Sequence, residues 1–142
     1  MKKTKKSTTT NIARLAALPF AYDCGRRGAI ISLPLVGDAR YDFIVDSGAT
    51  AGALFRVKVV KASPEPNSDY YCINTQKMVG RTKIPFARDE VDMIATCING
   101  DWYFFSQPHS LTSNQRIHPT HANSQRNNWA ELRLPTIPIY EI

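Results

Sequence analysis

The sequence predicts an α/β domain in which one N-terminal helix is followed by a mostly antiparallel, mixed sheet. Three observations carry this. Between Asn11 and Arg27 the apolar residues Ile12, Leu15, Ala16, Leu18 and Phe20 recur at roughly helical spacing, and Gly25 and Gly28 bracket Arg26-Arg27 as a stop. From Ala29 onward the apolar residues come as short β-branched and aromatic runs separated by turn residues. Asn99-Gly100 stands between two such runs, the signature of a tight hairpin.

In order, the helix is interrupted by Pro19, where it kinks or starts. Ala29 to Leu33 reads as the first strand, Tyr41 to Val45 as the second and Ala53 to Val60 as the third. Asp46 to Ala51 is small and polar, a turn. Ser63 to Ser68, with two prolines, reads as a surface loop, and Tyr70 to Asn74 as a fourth strand. Gln76 to Lys83 reads as a basic loop, and the loop reading continues to Asp89. Val91 to Cys97 and Trp102 to Phe105 flank the Asn-Gly turn. Ser106 to Asn128 is polar and fits loop with a short edge strand. Trp129 to Leu132 suits a helical turn that docks its tryptophan, and the closing PTIPIYEI is apolar enough to pack on something.

A length of 142 residues suits one domain, taken as residues 11–142, after a basic flexible tail over 1–10. That length buries a core without staples. The formal charge is +6, but Lys2, Lys3, Lys5 and Lys6 lie in the tail, so the body is only mildly basic. Such a tail speeds encounter with nucleic acid or is merely solvated. No apolar run is long enough to span a membrane, and none follows the basic N-terminus as a secretory signal requires. The expectation is a cytoplasmic protein with no membrane partner. Cys24, Cys72 and Cys97 form no CxxC pair and read as buried reduced thiols. His118 and His121 sit around a proline with no cysteine nearby, which argues against a metal site there.

The stretch YDFIVDSGAT, Tyr41 to Thr50, offers two aspartates. Asp46-Ser47-Gly48-Ala49 matches the turn of a retropepsin-like aspartic protease, in which two such turns face each other across a dimer. The supporting segment expected later has Asn99 at its centre, and no Gly-rich flap is present. Asp-Ser-Gly is also ordinary turn chemistry. Taken as a turn, it leaves a different frame: helix, strand, Asp42 on the next strand, hairpin, then Arg56-Val57-Lys58-Val59-Val60-Lys61.

That order, with GDARYDFIVDSG before LFRVKVVKA, resembles the PD-(D/E)xK endonucleases associated with group I introns, the homing type. There the text is close to GD-x-x-RYDFIVD…LxRVQVK. YYCINTQ, ARDEVDMIATCINGDWYFF, IHPTHANSQ and NNWAEL are similar as well, so the likeness runs roughly from Ala13 to Leu132. The resemblance implies a restriction-endonuclease-like core: α/β, with a mostly antiparallel, mixed central sheet flanked by helices. It also implies Mg²⁺-dependent cleavage of double-stranded DNA by a homo-oligomer. In such a site an Asp on one strand and a Glu or Gln on the next hold the metal, and a Lys two residues later shares their face.

By that resemblance Asp42 is the metal ligand, but the Gln falls on Lys58 and the catalytic Lys on Val60. Arg14 and Ala17 stand where the helix would carry acids. A one-residue bulge would turn Lys61 inward in place of Val60. A charged Lys58 has no lone pair for Mg²⁺, so the expectation is a Lys58–Asp42 ion pair, with the alternative that Lys58 simply faces solvent. The candidate catalytic set is therefore Asp42, Lys58 and Lys61, with Asp38 and Asp92 as open candidates for a second carboxylate. Arg14, Arg40, Arg56, Lys77, Arg81 and Lys83 are the candidate nucleic-acid contacts, and Arg26 and Arg27 are further cations of the same stretch. The reading is a DNA-binding protein with impaired or lost cleavage. The alternatives are an active Mg²⁺ endonuclease with a rearranged site, a protein-interaction module on the same scaffold, and the aspartic protease.

Overall fold

The computed structural model describes residues 17–35, 39–48, 52–121 and 123–140. The basic tail, Arg14, Asp38 and the first turns of the expected helix lie outside the described residues. Helix α1 covers residues 17–26, with Pro19 inside it on an exposed side. It ends where Gly28 N–H donates to Gly25 O at 3.0 Å and Ala29 N–H to Cys24 O at 3.2 Å. This closure needs a left-handed residue, and Gly28 supplies φ of 86°.

The central sheet has the order β1-β2-β3-β8-β9: β1 Ile30–Ser32, β2 Phe43–Asp46, β3 Leu54–Val59, β8 Met93–Ile98 and β9 Asp101–Ser106. β3 and β8 run parallel and the other neighbours antiparallel, so the sheet is mixed as the sequence predicts. β8 and β9 are joined by Asn99 and Gly100, both at positive φ, the tight hairpin expected from Asn-Gly.

Each face of the sheet has its own core. On one face Phe43, Val45, Val57, Met93, Ala95, Trp102 and Phe104 meet Phe20 and Cys24 of α1, together with Trp129 and Leu132. Trp129 does dock, in a 3₁₀ turn Trp129–Leu132. The other face is covered by small sheets rather than helices. One is β10-β5-β4, from β10 Gln115–Ile117, β5 Tyr71–Ile73 and β4 Ser63–Pro64. A separate two-stranded ribbon is formed by β6 Gln76–Val79 and β7 Thr82–Pro85. The second core, with Ile73, Phe86, Ile94, Tyr103, Phe105 and Ile117, lies under this cover. Being covered on both faces, β8 is buried at five of six positions.

Four expectations are corrected. Gln76 to Asp89 is not a loop: its first ten residues form the β6–β7 hairpin. The Ser63 to Ser68 loop begins with strand β4. Of the three cysteines, Cys24 is buried, Cys72 half-buried and Cys97 exposed. The C-terminal segment packs little, since Ile137, Ile139 and Tyr140 stay exposed. Hydrogen bonds hold it: the Ile139 and Tyr140 amides donate to Arg26 O at 2.8 and 2.9 Å, and the Arg27 guanidinium donates to Pro135 O and Thr136 O, each at 3.1 Å.

Candidate nucleic-acid interface and the Asp42 site

Strand alternation sends Phe55, Val57 and Val59 of β3 to the helix-covered core and Leu54, Arg56 and Lys58 to the opposite face. The register places Ile44 beside Arg56, and Asp46 between Ile30 and Leu54, on that same face. The small sheets cover its β8–β9 half. Among the described residues nothing covers the β1–β2–β3 half, where Ile30 and Leu54 are exposed.

Asp42 ends the β2–β3 ladder. Its N–H donates to Val57 O at 2.9 Å, although Val57 already pairs with Phe43, so two residues face one at this point. Its carboxylate then accepts the Val59 N–H at 2.7 Å, in the place a main-chain carbonyl would take. The other oxygen lies 3.7 Å from Lys58 Nζ, and the Asp42 side chain is only 14 % exposed. The structure thus brings Lys58 to Asp42 and leaves that carboxylate with an ammonium partner.

Lys61 is not brought in. β3 advances along β8 one residue for one, from Val57 to Val59, and the Val60 N–H extends the ladder to Ala95 O at 2.9 Å. With no extra residue inserted there, Val60 packs toward the second core and Lys61 stays exposed. Asp92 is committed elsewhere. Arg56 grips its two oxygens with Nε at 2.9 Å and Nη2 at 3.0 Å, while the Arg56 N–H donates to it at 2.8 Å. Arg56 also bonds the carbonyls of Arg88 and Asp89. Burial raises the Asp92 pKa, but these hydrogen bonds and the Arg56 charge outweigh it and hold the carboxyl below its ordinary value. Arg56, expected as a DNA contact, is therefore a clasp between β3 and β8.

Sequence reasoning missed Glu90. Arg40 Nε sits 3.3 Å from its carboxylate, Lys77 Nζ pairs with the other oxygen, and the Ala87 N–H donates to that same oxygen at 2.9 Å. The Lys77 hydrogen bond, with the Ala87 amide and Arg40, pulls the Glu90 pKa below its ordinary value. A hint was present, because Asp89-Glu90 ends a stretch from Tyr70 to Arg88 that contains four cations and no acid. Arg26 and Arg27 turn toward Asp23, Trp129 and the carbonyls of Pro135 and Thr136 on the helix side. Arg81 and Lys83 are exposed on the β6–β7 ribbon, and neither has a side-chain hydrogen bond or ion pair among the described residues.

The described residues do not fit a divalent ion. Asp42 is a single carboxylate already facing an ammonium, and no group of three or more His, Cys, Asp or Glu suited to a metal occurs among the described residues. Asp46, the aspartate of the protease reading, accepts the Gly48 N–H at 3.0 Å and serves its own turn.

No protein-family model and no curated protein matches the chain. Among solved structures, the bacterial homing endonuclease I-Ssp6803I superposes with a TM-score of 0.61 at 18% identity, over 86% of each chain. This chain shares the fold of that structure. No helix among the described residues is long and apolar enough to cross a membrane.

Proposed function

We propose that this protein binds double-stranded DNA on a PD-(D/E)xK endonuclease scaffold from which phosphodiester cleavage has been lost. The observation that carries this is Lys58 Nζ at 3.7 Å from Asp42, on the strand position where the resemblance puts a metal-ligating side chain. An ammonium there balances the carboxylate internally, and Val60 in the next inward position offers no proton and no charge. The cation that neutralises Asp42 is part of the chain, in the place Mg²⁺ would take. Binding then draws on Arg40 at the rim, half exposed beside Glu90, and on the ribbon cations Arg81 and Lys83.

The test is supercoiled-plasmid nicking with and without Mg²⁺ or Mn²⁺, beside duplex-binding titrations at several salt concentrations. The expected result is no nicking, with affinity that falls steeply with salt and does not require Mg²⁺. Metal-dependent nicking that disappears in Asp42→Ala would overturn the reading. Self-association belongs to the same proposal, since Ile30 and Leu54, which flank Asp46 on one face of the sheet, are exposed to a second copy. Sedimentation velocity gives a single monomeric species if that part is wrong.

A further inference from the structure

The β6–β7 hairpin is its own two-stranded sheet, and every residue from Met78 to Ile84 is exposed. A half-buried hairpin normally hides one face. Here Met78 stands directly opposite Lys83 on one face and Val79 opposite Thr82 on the other, and all four are in solvent. Two strands alone are marginal in water, so the base must be held, and it is. Thr75 Oγ1 donates to Ser113 O at 3.1 Å and Gln76 Nε2 to Thr112 O at 2.9 Å. Lys77 pairs with Glu90, and Phe86 is buried in the second core. The tip is a two-residue turn, Gly80-Arg81, with glycine first at φ of 62°, which keeps the strands tightly paired to the end. The result is a rooted arm whose outer residues, 78–84, are exposed on both faces.

Its chemistry selects the partner. No acid lies between Asp69 and Asp89, so the arm carries Arg81 and Lys83 uncompensated. Beside them Met78 and Val79 expose about half their surface, at 52% and 50%. Cations with short apolar side chains on a ribbon match the major groove, which is ~12 Å wide, admits two strands, and presents thymine methyls between its phosphate walls. Resting on the duplex-binding reading above, we propose that residues 78–83 enter the major groove of double-stranded DNA, with Arg81 and Lys83 on phosphates and Met78 and Val79 against base edges.

The test uses the full chain, a mixed-sequence duplex, and two groove ligands: methyl green for the major groove and netropsin for the minor. Methyl green should displace the protein and netropsin should not. Arg81→Ala with Lys83→Ala should lower affinity by about tenfold or more and reduce the slope of log affinity against log salt by about 2. Met78→Ser with Val79→Ser should weaken binding with the slope unchanged. These side chains belong to neither core and are exposed, so all variants should melt close to the intact chain. An intact chain that binds no duplex overturns this inference together with the reading it rests on. Duplex binding that survives Arg81→Ala/Lys83→Ala with the same slope and resists methyl green overturns the groove arm alone, and directs the search to a protein partner for the ribbon.

Discussion

Replacing Lys58 with Glu reverses the charge that faces Asp42 and sets two carboxylates side by side, an arrangement that favours a divalent ion. At 3.7 Å the native pair is worth about 1 kcal/mol in bulk water and about 4 kcal/mol at an effective dielectric of 20. The side chains are 32% and 14% exposed, so solvent screening puts the attraction toward the lower end, about 1–2 kcal/mol. Lys58→Glu loses that attraction and adds a repulsion of similar size. The expected destabilisation is about 2–4 kcal/mol, a large fraction of a typical domain's stability. Mg²⁺ at ten times its dissociation constant should return about 1.4 kcal/mol to the variant, by mass action alone. The assay is urea unfolding by circular dichroism with and without Mg²⁺, on the native chain and on Lys58→Glu. The native chain should be indifferent to the metal. Lys58→Glu as stable as the native chain, or a native chain that gains as much from Mg²⁺ as the variant does, refutes the claim that the Lys58 ammonium neutralises Asp42.

The Arg56–Asp92 clasp and Glu90 contribute to the acid limb. Both carboxyls titrate below their ordinary values when folded, so the folded state binds fewer protons than the unfolded chain. Their contribution is fully present above the unfolded carboxylate range and is lost as pH falls through the folded values, below about pH 4. Arg56→Met should flatten that limb and cost about 2–3 kcal/mol near neutrality; an unchanged pH profile in urea titrations would contradict the assignment. Asp23 accepts the Trp102 indole N–H at 2.8 Å, and the indole is nearly buried. Asp23→Ala should cost about 1–3 kcal/mol and alter the near-ultraviolet circular dichroism. A variant with native stability would show that the indole has another partner.

The sequence was most legible where local chemistry and burial agreed. Phe43, Val45, Phe55 and Val57 alternate because each strand hides one face under α1, and Asn99-Gly100 turns because both positions need positive φ. Gly28 marks the helix end for the same kind of reason. The β6–β7 ribbon was illegible because both its faces are wet: without burial there is no alternation to read, and seven exposed residues look like a loop. The apolar C-terminal segment misled in the opposite way, since hydrophobicity does not say whether a surface is free to receive it. Residue types alone determined that β3, the strand beside Asp42, carries no carboxylate and does carry Lys58. Only the tertiary structure decided which cations are free. Arg56 is spent on Asp92 and Lys77 on Glu90, while Arg81 and Lys83 remain in solvent, because ion pairing depends on distances between segments that lie far apart in the chain.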